Sequence, residues 1–580
     1  MASAIKVQEF VHKLEEGGWT KWIKLAVVVA AVAFVVNLWF FRDAGFTGLS
    51  HEKAIEQAQI SREIARGNGF STKMIRPAAL WLFERNKGAF PVDRQPDIFH
   101  APLHPWINSW ALLLVKKHWA MTAKDIQYVP EKIIAGLGLV FFFLSIVVNY
   151  FTAKRLFDRR LALLSVGLLL ICQQFWDFAL SGLPQMLMLF LFSGALHTLL
   201  RAVEARQESR TPTLWIVATG VLFGLLALAH GLTIWMFGGA LIFVLVFFRP
   251  FGRDAGIMLA VFMLCYTPWL VRNQMVCGTP LGLGWYSGLA DIRGSESQLM
   301  RSMEVSFDDV TPRFFRRKVQ MHALLQLDQL YGFLGKVLVA PFFFIALLHL
   351  FKRPETSALR WAVFLMWILA FTGTAIFGLP EKTGLRANDL HVLFIPIMVF
   401  YGLAFVLVLW SRLEIHLRLL WLGLMSMIYG ISSLPFLENF LNLVGPPTMP
   451  VAWPPYAPPY IAILNGWTVE KEIIASDMPW AVAWYADRRS LWLPMSIKDF
   501  LEIGDYSQLN GRVVGLYLTP VTGNKALISE LVKGEYRDWA PFIMRNANLR
   551  DFPLKFATAL PIENECIFYA DRDRWTARED

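Results

Sequence analysis

Charge and cysteine are what this chain of 580 residues has least of. Charged residues make up only 17 % of it, against about a quarter in soluble domains. That is too little polar surface to wrap the three or four water-soluble domains its length would allow. Four cysteines occur, Cys172, Cys265, Cys277 and Cys566, with neither metal-ligand spacing nor the arrangement of a disulfide framework. Cys172 and Cys265 lie in apolar runs, where a buried free thiol is the ordinary outcome. The chain contains no Asn-X-Ser/Thr sequon, which favours a bacterial inner membrane over the endoplasmic reticulum.

What is abundant is grease. Hydrophobic residues reach 56 %, with 46 Phe and 23 Trp, and the mean hydropathy is +0.44. Such a chain uses lipid as its solvent and is a polytopic α-helical membrane protein. A bilayer core about 30 Å thick takes about 20 mostly apolar residues per helix. Eleven stretches qualify, near 24–42, 131–151, 160–176, 183–201, 213–229, 231–249, 255–271, 332–351, 358–379, 390–411 and 415–434. Lys21 and Lys24 flank the first, which lacks a small-residue cleavage site and reads as an anchor. The net charge of +10 gathers in short turnarounds: Lys154, Arg155, Arg159 and Arg160; Arg201, Arg206 and Arg210; Arg249 and Arg253; Lys352, Arg353 and Arg360; Arg412 and Arg418. With a cytoplasmic N-terminus all of these face the cytoplasm, so the basic balance points to topology and not to nucleic acid. Residues 103–115 are apolar but too short to span, and fit an interfacial helix.

Residues 1–434 therefore read as the transmembrane unit, with outer loops at 43–130 and 272–331. A proline-rich linker, 435–460, leads to a C-terminal extracytoplasmic domain at 461–580. There EIIASD (472–477), SLWLP (490–494), VVGLYLTP (513–520) and ECIFYAD (565–571) read as buried strands. Helical patterns at 479–487, 496–503 and 524–536 alternate with them, the mark of a small α/β domain. It holds no glycine-rich phosphate loop.

The first outer loop carries the densest chemistry. A helix is expected from Ser50 as N-cap to a stop at Gly67, with Glu52, Glu56 and Glu63 on one face and Gln59 filling the stripe. Spacing alone equally suits a solvated helix whose Lys53, Arg62 and Arg66 balance those charges. Arg76, His100 and His104 follow around a His-X-Pro-Leu turn. Asp177 ends the third span, Gln185 opens the fourth, and His230 sits at a tight hairpin. Arg272 closes the seventh span, and Arg386 and His391 open the tenth. Ionisable groups at membrane depth are functional candidates because burying them is costly. Carboxylates and cations converging on one interface suit a lipid-linked phosphate: cations hold the phosphate, and a carboxylate serves as base on an incoming hydroxyl.

At ISREIARGNGF (60–70), HAPLHPW (100–106), LFDRRLALLSVGLLL (156–170), WDFALSGL (176–183), PWLVRN (268–273) and NDLHVLFIPIMVFYGLAF (388–405) the chain resembles the GT-C glycosyltransferases of the protein O-mannosyltransferase and lipid A aminoarabinose transferase type. The resemblance covers about residues 24–411. It implies a GT-C-like helical fold, a polyprenyl-phosphate-linked sugar as donor, and transfer to an extracytoplasmic glycan, lipid or protein. It also implies a catalytic acid in the first loop, usually an Asp-Glu pair, whose places here hold Lys53 and Ala54. Glu56 is the carried-over acid, with Asp177 second and Glu52 alongside. Arg76, His100, Arg272 and Arg386 are expected at the donor phosphate, with His104, Gln185, His230 and His391 as further candidates. No metal ligands are assigned, although some members of the family hold a divalent metal between acid and phosphate. The competing expectation is a non-catalytic relative serving as a scaffold in an envelope assembly complex. A transporter fits less well, since its broken helices and paired charges belong near mid-bilayer.

Overall fold

The computed structural model describes residues 29–576 apart from 42–45, 47, 50, 87–93, 123–124, 126, 250, 308–309, 381–383, 414–416, 445–457, 506–508, 510, 520–531 and 561–565. Ser50, the start of the anchor span, half of the proline-rich linker (445–457) and much of the 524–536 helical stretch lie outside the described residues; the linker's first ten residues continue the helix Arg418–Val444.

The long apolar runs fold as their length dictates. Six helices are long and apolar enough to cross a membrane: Val129–Leu156, Gln185–Gln207, Arg253–Cys277, Pro354–Phe377, His391–Arg412 and Arg418–Asn442. A seventh candidate is a pair, Arg159–Leu170 and Gln173–Ser181, bent by 58° at Ile171 and Cys172. Thr213–Ala229 and Gly231–Phe247 are shorter apolar helices joined at His230. Leu103–Leu113 is an 11-residue helix, far short of a span, with Trp106 and Trp110 on its exposed side.

The expected eighth span, 332–351, is not one helix. It breaks into Leu330–Phe333 and Phe342–Ala346. Gly335 and Lys336 adopt φ of 69° and 54°, a left-handed pair that no α-helix contains. The segment's apolar residues Leu334, Val337, Val339 and Phe343 are buried inside the protein. Its backbone runs so close to helix His391–Arg412 that only a glycine fits at Gly402, facing the Val339 carbonyl. Hydropathy here registers burial against protein, which composition cannot tell from burial in lipid.

On the face of the bundle that carries the first loop sits a six-stranded sheet in the order β1-β3-β2-β4-β6-β5. Its strands are β1 (Met74–Ile75), β2 (Ile473–Ser476), β3 (Arg489–Trp492), β4 (Val513–Leu518), β5 (Phe556–Ala559) and β6 (Ile567–Ala570). The first four in that order pair in parallel, and β6 runs antiparallel to both of its neighbours, β4 and β5. Central β2 is buried at every position, as expected of a parallel strand covered on both faces. The sheet is not made by the C-terminal region alone. The first loop lends β1, which pairs Met74 with Ser490 and Ile75 with Leu491.

A side-chain lock fastens the two parts. Arg62, wholly buried, donates to the Trp484 carbonyl at 2.8 Å, the Ala483 carbonyl at 2.8 Å and Asp487 Oδ1 at 3.0 Å. Arg66 and Lys73 reach the same Asp487 carboxylate at 2.6 Å and 2.8 Å. Burial raises the pKa of that carboxylate, but its three cations reverse the effect and hold it well below its ordinary range. Glu131 accepts hydrogen bonds from the Leu49 amide at 3.0 Å and Trp484 Nε1 at 2.8 Å. The solvated reading of the first-loop helix is therefore overturned: Arg62 does not balance surface charge, it docks a domain.

Candidate functional site

The first-loop helix, Glu52–Ala65, is capped by His51, whose side chain accepts from the Lys53 amide. Residues Ala54 to Glu63 are buried, so its acidic face meets protein. Glu56 is ion-paired with Arg76 and with His100 Nε2, the latter at 2.9 Å. Asp97 completes the group, 3.5 Å from Arg76 Nη1 and 3.3 Å from His100 Nδ1. Asp97 Oδ2 also accepts from the Phe99 and His100 amides at 3.2 Å and 2.8 Å. Two carboxylates and two cations thus form one buried square.

The square fixes its own charges. Burial disfavours the ionised forms of Asp97, Glu56 and His100, yet the opposite charges beside them prevail. Asp97 is pushed up by burial and then brought down to about 2 by His100 and Arg76. Glu56 is lowered because Arg76 and His100 outweigh its desolvation. His100 is raised because Asp97 and Glu56 overcome the burial that would neutralise it. His104 differs: burial and the neighbouring His100 bring it down to about 3, and it is neutral, 2.7 Å from Gln57 Oε1.

Arg272 supports this group from behind. Its Nη1 donates to the Asp97 carbonyl at 2.6 Å and its Nη2 to the Phe70 carbonyl at 3.2 Å, and its guanidinium lies over Trp269, 4.8 Å from the ring centroid. Glu52 sits apart, near enough to Tyr536 of the C-terminal region to bear on that phenol electrostatically.

The remaining candidates gather elsewhere. Gln173 donates to Asp177 at 2.7 Å, and Gln174 to Asp389 at 3.1 Å. Arg386 donates to Gln329 at 2.9 Å, and Gln185 to the Ala387 carbonyl at 2.7 Å. His391 Nε2 lies 2.9 Å from Gln326 Oε1. Arg386, Asp389, Gln174 and Gln329 line a small cleft of about 160 Å³. The expectation that all these charges share one chamber is corrected here. They form two clusters, because the segment 384–391 packs on the bent helix pair and away from the first loop.

A larger cavity, about 620 Å³, touches the edges of both. Lys53, Gln57 and His100 line one wall, His230 and Trp269 another, and Asn388 lies toward the second cluster. Glu56, Arg76, Asp177 and Arg272 are not among the residues lining it. Among the described residues no group of three or more His, Cys, Asp or Glu is arranged to hold a metal ion. Arg76 and His100 already occupy the ground between Glu56 and Asp97, so this acid pair does not fit a divalent metal. Sequence reasoning missed two groups. Asp97 follows no periodic pattern and is signalled only by its place immediately after the β-bridge at Pro96. Glu296 lines the large cavity from the 272–331 loop, in a stretch with no apolar period.

No protein-family model matches this chain, and no curated protein sequence does. Solved structures do. ArnT from Cupriavidus metallidurans bound to undecaprenyl phosphate aligns over 95 % of this chain and 98 % of its own, with a TM-score of 0.53 and 14 % identity. The archaeal oligosaccharyltransferase AglB from Archaeoglobus fulgidus, in complex with an inhibitory peptide and a dolichol-phosphate, aligns over 97 % of this chain and 76 % of its own, with a TM-score of 0.51 and 14 % identity. Both are GT-C glycosyltransferases, and at this identity the likeness is one of fold. The chain has the GT-C fold, as its motifs imply.

Proposed function

We propose that this chain is a glycosyltransferase of a bacterial inner membrane, moving a sugar from a polyprenyl-phosphate carrier to an extracytoplasmic acceptor. One observation carries the reading: a cavity of about 620 Å³ with aromatic and aliphatic walls has His100, held positive by two buried carboxylates, and Lys53 on one side. A lipid-linked phosphate needs that combination, an apolar wall for the chain and fixed cations for the head. The fold shared with proteins solved in complex with undecaprenyl phosphate and dolichol-phosphate supports it.

In this reading Glu56 and Asp97 serve catalysis indirectly, by keeping His100 an imidazolium. Arg76 completes their charge balance, and Arg272 holds the 97–100 backbone in place. Trp269 and Trp285 offer ring faces to the sugar. His104 and Gln57 fix the wall behind it. Arg386 lines the smaller cleft with Gln174, Gln329 and Asp389, while its chain neighbours Ala387 and Asn388 line the cavity; Asp177, Gln185 and His391 lie around that cleft without lining it.

Full-length protein in nanodiscs tests this by binding of undecaprenyl phosphate and by consumption of undecaprenyl-phosphate-linked sugars. His100→Ala is expected to weaken undecaprenyl phosphate binding about tenfold, the loss of one charge-assisted contact. Unchanged affinity would remove His100 from the phosphate. Failure of the wild type to consume any donor would favour the second reading, a non-catalytic scaffold in an envelope assembly complex. That reading draws on Lys53, a cation lining the cavity where the resemblance implies the first acid of a pair.

A further inference from the structure

The proposed transfer needs a group to take the acceptor's proton, and Glu56 is walled off from the cavity by Arg76 and His100. Among the described lining residues one carboxylate is present, Glu296, with its side chain about a quarter exposed. It stands 2.9 Å from Lys53 Nζ. We infer that Glu296 is the base that receives the acceptor hydroxyl's proton, with Lys53 passing between it and the donor phosphate; this rests on the sugar-transfer reading above.

The site is built rather than incidental. Glu296 opens the short helix Glu296–Arg301, with Ser295 as N-cap and a reciprocal capping box with Gln298. The C-terminal region grips that helix at both ends. Ser295 and Ser297 donate to the two Glu535 oxygens at 2.6 Å and 3.0 Å. Arg301, wholly buried, donates to the Leu493 carbonyl at 2.6 Å, just past β3, and lies 4.0 Å from the Tyr536 ring centroid. A carboxylate that must meet a reacting hydroxyl is worth most when a fixed scaffold aims it, and here the sheet domain supplies the aim.

The step balances as follows. The acceptor oxygen forms a bond to the anomeric carbon as the bond from that carbon to the phosphate oxygen breaks. The electron pair leaves with the polyprenyl phosphate, whose added negative charge faces His100 and Lys53. The hydroxyl proton passes to the Glu296 carboxylate and later to water.

The experiment compares wild type, Glu296→Gln and Glu296→Asp as full-length protein in nanodiscs. It measures undecaprenyl phosphate binding and turnover of a panel of undecaprenyl-phosphate-linked sugars, with water or added acceptor. Glu296→Gln should bind undecaprenyl phosphate within about twofold of wild type, while turnover falls about 100-fold, the usual loss on removing a general base. Glu296→Asp should recover part of that rate. Wild-type turnover in Glu296→Gln would overturn the assignment and leave sugar transfer standing. Parallel loss of undecaprenyl phosphate binding and turnover would also overturn it, marking Glu296 as a packing group. A wild type that consumes no donor would remove this role together with the reading beneath it.

Discussion

His100 shows how a buried imidazole is kept charged at one point in a greasy protein. Its ordinary pKa is 6.5 and Asp97 and Glu56 raise it, so its contribution to stability is whole below about pH 6.5 and is lost as pH rises through the raised value. Asp97 and Glu56 start from 3.8 and 4.5 and are lowered. Their contribution is whole above about pH 4.5 and drains away as pH falls, for Asp97 toward about 2. The square is therefore strongest between about pH 4.5 and 6.5. Thermal unfolding across pH should show wild type losing stability on the alkaline side. His100→Gln, which leaves two buried carboxylates sharing one cation, should lose about 3 kcal/mol on the plateau and show no such alkaline fall. Part of this cluster was legible beforehand. The acidic stripe and the His-X-Pro-Leu turn pointed to Glu56 and His100, and the structure brings those two together with Arg76. Asp97 and Glu296 follow no period, and nothing in a sequence tells a paired carboxylate from a solvated one.

At the scale of elements, Asp487 is the hinge pin. It sits at φ 53° after the turn at 482–486, a left-handed position that Asp and Asn tolerate better than most residues. From there it meets Arg62, Arg66 and Lys73, three cations of the first loop. Asp487→Asn keeps the backbone preference and removes the charge. The expected cost is about 3 kcal/mol, the low end for breaking a buried ion pair, since this carboxylate is partly exposed. A thermal shift assay checks it, and a second loss should accompany it: weaker undecaprenyl phosphate binding, because the loosened helix carries Glu56 and Lys53. An unchanged melting temperature would mean that the carbonyls bonded by Arg62 suffice alone. This lock was invisible to helical periodicity, which places Arg62 and Glu63 on a surface but cannot see a partner more than 400 residues away.

For the whole molecule, apolar length foretold most of the bundle and the strand–helix alternation foretold β2, β3, β4 and β6. Failures came where burial and lipid exposure look alike, as at 332–351, or where an element is too short to have a pattern, as with the two residues of β1. Deleting residues 458–580 tests how far the two halves depend on each other. The span helices should remain protease-resistant in the membrane, whereas cleavage at Arg62, Arg66 and Lys73 should appear, because those side chains lose their acceptors. Protection of all three in the truncated protein would show that the first loop folds unaided.

That β1 leans on β3 carries a consequence for biogenesis. Residue 74 leaves the ribosome early, but its strand partner at residue 490 is synthesised only after every span has been inserted. Such a distant pairing is slow to close, so the early loop waits, half-assembled, through most of translation. Any quality-control protease on that side of the membrane meets an open substrate until the last part of the chain arrives, and a late nonsense mutation would thus expose the beginning of the protein as well as remove its end.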